Sequence, residues 1–222
     1  MQEEISLFPT GMPGEQLWWL ISSDATGAPF RTPAPPPYSG GSDTDMTGGG
    51  IQAYCEIMSN SGYAVRRFRN DDRVRILEIF NHHVTTTVAA LAAEPVPPQF
   101  IDGTLQDAQS FLVAGRDGEV AVFGFMRPFL PFSTFQTAAS VTDFAAPGHT
   151  RSGLGSRILK AFESDAGERG IRTLLAAISS RNIESLKFHR KRGFYECGKL
   201  PGIGVKFGEH FDVIRMVKGL SA

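Results

Sequence analysis

From residue 63 onward the chain switches between two hydrophobic periods. "YAVRRFR" (63–69) alternates like a strand, with Ala64 and Phe68 leaning one way. Val74, Leu77 and Ile79–Phe80 then recur at helical spacing, behind Asn70 and Asp71, which suit a helix cap. The pattern breaks in "HHVTTTVAALAAEPVPPQ", where Pro95, Pro97 and Pro98 end one element and a second helix is predicted to begin near Pro98. "SFLVAGRDGEVAVFGFMRP" places two apolar strands around Asp117-Gly118, a hairpin signal. Another strand fits "TAASVTDFA", and a glycine-bearing turn leads into a helix that ends at Gly170. "IRTLLAAIS" reads as a buried strand, a helix is expected from about Asn182 to Arg192, and "GFYECGKL" and "HFDVIRMVK" supply two more strands. Strand, hairpin and two strand–helix alternations predict a mixed α/β (α+β) domain over residues 63–222.

Residues 1–62 have no such periodicity. "TGAPFRTPAPPPYSGGSDTDMTGGG" is rich in Pro, Gly, Ser and Asp, too little apolar surface to offset its ordering entropy, and reads as a disordered tail. "EQLWWLISS" interrupts it, either as a sticky patch folding back on the domain or as a docking motif built on Trp18 and Trp19. Met58 lies just before the periodic part and is a candidate start of translation, which an intact-mass measurement decides. Charge then narrows the function. Lys plus Arg (22) nearly balance Asp plus Glu (23), so nothing favours nucleic acid or an anionic membrane as partner. The two cysteines, Cys55 and Cys197, form no CxxC motif, and neither a disulfide scaffold nor a metal site is expected. No apolar run approaches the ~20 residues of a spanning helix, and the acidic start "MQEEISLF" is unlike a secretion signal, so the expected location is cytoplasmic.

The turn "HTRSGLGSRILKAF" (149–162) carries the first chemical hint. Gly153 and Gly155 remove side chains where a strand meets a helix. The first N–H groups of a helix lack internal partners and sit at the positive end of its dipole, which suits a phosphate. No Gly-Lys-Ser/Thr follows, and Ile158 stands where a dinucleotide fingerprint has its third glycine, so two nucleotide motifs are excluded.

Four stretches, in order, carry a resemblance: "ILEIFNHHVTTT", "HTRSGLGS", "SRNIESLKFHRKRGFYECG" and "GVKFGEHFDV". Residues 64–218 are similar to GNAT N-acetyltransferases, more narrowly to the phosphinothricin and methionine sulfoximine acetyltransferase branch. The resemblance implies the acyl-CoA N-acyltransferase fold, a mixed, V-split sheet between helices, with acetyl-CoA as cosubstrate and a small primary amine as acceptor. It implies that Phe144 and Ala145 hydrogen-bond the pantetheine arm, that the backbone of Arg151, Ser152, Gly153, Leu154, Gly155 and Ser156 holds the pyrophosphate, and that Asn182 contacts the cofactor further along. His189, on one helix face with Asn182 and Ser185–Leu186, is the candidate for proton transfer; the bland alternative is a structural histidine between helix and sheet. The branch lines its acceptor pocket around Asn81 and His82. "GVKFGEHFDV" lies near its pocket and dimer contact, which allows a homodimer and makes Lys206 structural or pocket-edge.

The chain departs from the branch in three places. Thr150 replaces the usual Gln or Arg of the pyrophosphate loop, which weakens cofactor binding without abolishing it. Ser140 stands where the branch has its proposed catalytic Glu, and losing a base alone costs about 3–5 kcal/mol of barrier. Gln136 replaces an Arg thought to hold the acceptor carboxylate, removing a bidentate clamp. Asp143 can substitute as base only if its strand bulges, because alternation turns 140 and 143 to opposite faces. Cys197 reads as a small buried apolar residue rather than a nucleophile. Two functions follow: direct acetyl transfer in a ternary complex, or a degenerate, non-catalytic acyl-CoA-binding or interaction module.

Overall fold

The computed structural model describes residues 62–220; the tail, Trp18 and Trp19, Cys55 and the start at Met58 lie outside them. Among these residues seven strands form one sheet in the order β1 (Ala64–Arg67), β2 (Ser110–Arg116), β3 (Glu119–Pro128), β4 (Ala138–Ala145), β5 (Thr173–Ser179), β7 (Glu209–Gly219), β6 (Tyr195–Lys206). Only β4 and β5 run parallel; every other pair is antiparallel. Helices α1 (Arg73–Thr86) and α2 (Gln99–Asp107) cover one face; α3 (Leu154–Glu168) and α4 (Ile183–Lys191) cover the other.

Each face has its own core. Under α1 and α2, Ile76, Ile79, Phe80, Val84 and Ile101 pack on Phe111, Phe123, Phe125 and Phe144. Under α3 and α4, Leu154, Ile158, Phe162 and Leu186 pack on Val122, Met126, Val141, Leu174 and Ile178. The ~25 cal/mol per Å² gained by removing apolar surface from water drives both. A buried carboxylate also ties the second core to the sheet edge: Asp165 of α3 accepts both Arg67 guanidinium nitrogens and the Ser110 hydroxyl. A buried charge is tolerated when it is paired and hydrogen-bonded in this way.

Several expectations are revised. Val74 is 70% exposed, and the inward stripe of α1 runs through Ile76, Ile79, Phe80 and Val84. Asn70 and Asp71 do not cap α1; they form a 3-10 turn (Asn70–Asp72) in which Asp72 accepts from the Arg69 N–H and pairs with Arg66. The helix continues through His82 and His83 to Thr86. β6 runs past Pro201, Gly202 and Gly204 to Lys206; it is the sheet edge, where a missing proline N–H breaks no ladder. For the same reason Cys197 is exposed rather than buried. Lys206 is only 4% exposed, its ammonium donating to Ala90 O at 2.7 Å and His83 O at 3.4 Å; removal from water pushes its pKa down.

Candidate active site

β4 pairs with β3 along its whole length, without a register shift, so the bulge that would turn Asp143 toward the Ser140 face is absent. With β5 it pairs only at Ala138↔Thr173, Ala139↔Leu174 and Ser140↔Leu175, and beyond these the parallel strands part. Residues of an antiparallel pair alternate between bonding to the partner and turning their peptide groups away from it. Phe129 N donates to Ala138 O and Ala146 N to Ala121 O, which fixes the phase. Ala138, Ser140, Thr142 and Phe144 therefore bond to β3, and Asp143 and Ala145 turn their peptide groups into the split. This corrects the role expected of Phe144. Its main chain belongs to β3, and its ring is buried beside Phe80, Phe123 and His83.

Ala145 remains, but its carbonyl is taken. His83 Nε2 lies 2.8 Å from Ala145 O, and a carbonyl only accepts, so Nε2 carries the hydrogen; Nδ1 lies 3.2 Å from Thr87 Oγ1, whose hydroxyl donates to His83 O. Burial holds the pKa of His83 below its ordinary value, the bond to Ala145 opposes that, and electrostatic repulsion from His82 and Lys206 adds to it.

At the far end of the split, the chain turns into α3. Gly153 is the N-cap residue, with φ 83° and no side-chain cap; Arg151 is left-handed as well, at φ 63°. A side chain at 153 would be strained by that φ, and nothing lies within 4 Å of where its Cβ would sit, so the space before the helix mouth is open. Ser152 Oγ donates to His149 O (2.7 Å) and accepts from Leu154 N (3.4 Å). The N–H groups of Gly155 and Ser156 have no such side-chain cap. Leu154, 1% exposed, anchors the turn from beneath. Arg151 reaches across to Glu184 on α4 at 3.1 Å, both side chains exposed.

The opposite wall is α4. Asn182 caps it, its Oδ1 accepting from Ser185 N at 3.2 Å. One turn further, His189 is buried against the edges of Phe188 and Phe194. Its Nδ1 lies 2.9 Å from Ser185 O, and its Nε2 lies 3.8 Å from Asp143 Oδ1. Burial raises the Asp143 carboxyl above the ordinary range, with the nearby His189 opposing. Val141, Asp143, Ala177, Asn182, Ser185 and His189 thus line one cleft.

The acceptor residues expected from the sequence are not gathered there. Ser140 is half-buried and sits directly across from Arg127, on the α1/α2 face of β4, opposite the face that carries Asp143 toward His189. Asn81 is tied at both ends to the loop after α1, donating to Val96 O (3.0 Å) and accepting from Val96 N (2.8 Å). His82 is exposed, with Nε2 3.2 Å from Thr86 Oγ1. Gln136 is exposed just ahead of β4. The sequence reading missed Arg127, a guanidinium in an otherwise apolar strand. It stacks on the Phe125 ring at 5.0 Å, burial lowers its pKa, and among the described residues no carboxylate is within ion-pairing distance. Its signal was the lone charge in "VAVFGFMRP".

Residues 76–194, more than half of the chain, match the acetyltransferase (GNAT) family. The chain belongs to the GNAT acetyltransferase family. It is similar to the phosphinothricin N-acetyltransferase of Alcaligenes faecalis, 30% identical over 71% of this chain and 83% of that one. It is also 30% identical to the L-methionine sulfoximine/L-methionine sulfone acetyltransferase of Pseudomonas paraeruginosa, over 64% of this chain and 85% of that one. Among solved structures it resembles the ribosomal-protein-alanine N-acetyltransferase of Brucella melitensis (TM-score 0.64, 30% identity, 70% and 99% covered). It also resembles yncA from Salmonella typhimurium, solved with acetyl-CoA (TM-score 0.66, 26% identity, 73% and 96% covered). The V-split sheet is thus the GNAT fold, and the chain is an N-acetyltransferase.

Proposed function

We propose that this GNAT enzyme moves acetyl from acetyl-CoA to the primary amine of a small amino-acid-like or xenobiotic acceptor, by direct attack in a ternary complex. The observation that carries this reading is the split between β4 and β5. It is an open-sided slot, with the Asp143 peptide groups and the Ala145 N–H turned inward and, at its end, the start of α3, where the Gly155 and Ser156 N–H groups have no side-chain cap. Such a slot fits a thin, amide-bearing arm, and the backbone from Arg151 to Ser156 fits a diphosphate. The open space before Gly153 supports that fit.

Acetyl-CoA, when bound, supplies a thioester carbonyl open to nucleophilic attack. The chain's own part is to align that carbonyl with the amine, worth on the order of 7–11 kcal/mol at its best, and to exclude water. Inward peptide N–H groups of β4 are suited to the charge that develops on the carbonyl oxygen. His189 is the group placed to move a proton, and Ser140, on the other face, acts at most through water. Asn182, bound as a cap, keeps its amide nitrogen for the cofactor. Asn81, fastened to Val96, shapes the acceptor wall from behind, and His82 and Gln136 remain at its exposed rim. Arg127 supplies the positive charge that Gln136 lacks for an acceptor carboxylate. In Arg127→Gln, KM for amino-acid acceptors rises several-fold, while KM for amines without a carboxylate holds.

The second reading, an acyl-CoA-binding module without catalysis, is favoured by Ser140 and Gln136. A free-thiol release assay over amines and amino acids separates the two. Turnover by the unmodified protein supports the transferase. Turnover only in Ser140→Glu supports decay, and no thermal stabilisation by saturating acetyl-CoA removes both.

A further inference from the structure

Asp143 belongs to neither the glycine turn nor the acceptor wall, and its surroundings are unusual for a carboxylate. Gly124 stands opposite it on β3; a Cβ there would lie 2.8 Å from Thr142 O, 3.1 Å from the Phe162 ring and 3.2 Å from Asp143 Cβ, so glycine keeps this crowded side of Asp143 free of a further side chain. From α3 its neighbour is Gly155, whose Cβ, if present, would lie 3.9 Å from Oδ2. From β5, Ala176 and Ile178 line the same cleft, and neither ionises. The titratable group facing it is His189 of α4.

The hydrogen-bonding of His189 then restricts where protons can be. Nδ1 lies 2.9 Å from the Ser185 carbonyl, which only accepts, and 3.3 Å from Ser185 Oγ, which can accept as well as donate; the shorter contact places a hydrogen on Nδ1. In a neutral ring Nε2 is a bare lone pair. It faces Asp143 Oδ1 at 3.8 Å, a gap that one water or a small ring rotation closes. An ionised carboxylate and a bare nitrogen are two acceptors confronting each other in a half-dry cleft, an arrangement that costs free energy until one proton lies between them.

We propose that Asp143 and His189 hold one shared proton on the wall of the split and act together as the acid–base pair of acetyl transfer, Asp143 working through His189. This rests on the transferase reading above. The balance is simple. As the amine nitrogen bonds to the acyl carbon and the carbon–sulfur bond breaks, the pair gives its proton from Nε2 to the sulfur. It regains one, through water, from the amine nitrogen that has become positive. One proton moves from amine to thiol, and the pair ends as it began. Asp143 thereby takes over the proton-holding function that Ser140 cannot supply, from the opposite face of the same strand.

The test is carbon and nitrogen NMR of Asp143 Cγ and the His189 ring against pH in the free protein, alongside pH profiles of thiol release. In the wild type the two signals share inflections, as coupled groups do. In Asp143→Asn the His189 signals show a single, simple titration, thiol release falls about 10²-fold, and the profile loses one limb. Acetyl-CoA still stabilises the variant against heat. Asp143→Val, suited to a strand, guards against misfolding and gives the same kinetic result. An Asp143 Cγ signal that titrates alone in the ordinary carboxylate range, or two variants with a wild-type pH profile, overturns the proposal. A wild type that binds acetyl-CoA but acetylates no amine overturns the transferase reading and the acid–base role with it. The NMR titration still decides whether the proton is shared.

Discussion

The two faces of the parted strands are made of different material. Toward α3 and α4, the features that matter are peptide groups and turn conformations: Asp143 and the Ala145 N–H turned inward, Gly153 at φ 83°, and a helix start whose Gly155 and Ser156 N–H groups have no side-chain cap. Toward α1 and α2, polar side chains would have to do the work, and most are already engaged. Asn81 holds Val96, His83 holds Ala145, and Lys206 holds Ala90. Backbone geometry survives side-chain replacement as long as the turn folds. A side-chain pocket does not, since each new residue changes what can be bound. A chain about 30% identical to its relatives can therefore keep the slot and alter the acceptor wall.

The largest effect that would sharpen this contrast is expected at His189. His189→Ala should lower thiol release by about 10²–10⁴-fold with the acetyl-CoA thermal shift retained; an unchanged rate would move proton transfer elsewhere. Asn81→Ala should cost about 1–3 kcal/mol in urea unfolding, because it leaves the Val96 peptide groups unpartnered, with little change in KM for acetyl-CoA. Gly153→Ala should cost about 1–2 kcal/mol from its left-handed φ and should also weaken acetyl-CoA binding. A loss of stability without a loss of affinity would break the assignment of the turn. The smallest effect concerns His83. Its folded-state pKa lies below the ordinary 6.5, so folding disfavours its protonation. The stability from this site is present above that value and lost as pH falls below it. Unfolding of wild type and His83→Gln at pH 7.5 and 5.5 should show a smaller acid loss in the variant.

Much of the fold was legible because its signals are local. Asp117-Gly118 takes the paired left-handed turn that a two-residue hairpin needs, at φ 53° and 84°. The strand–helix alternation after residue 138 follows from period alone. What escaped reading depended on position in the sheet. Pro201 and Gly204 look like breakers until β6 is known to be an edge. Val74 looks like part of the inward stripe until α1 is set in its actual rotation. Within the site, alternation correctly put positions 140 and 143 on opposite faces. That Asp143 meets His189, and that Arg127 forms no ion pair among the described residues, are facts of tertiary placement, and no spacing in the sequence encodes them.

The ammonium of Lys206 joins residues separated by 123 positions, with His83 at the helix end and Ala90 just beyond. During synthesis those carbonyls emerge early and wait for the final hairpin to arrive. That contact therefore depends on stretches far apart in the chain, whereas the glycine turn can take its shape from its immediate neighbours. A chain shortened past β7 loses the strand that pairs with both β5 and β6 and carries Ile214 and Met216 into the core, so it should fail to fold rather than merely lose this contact.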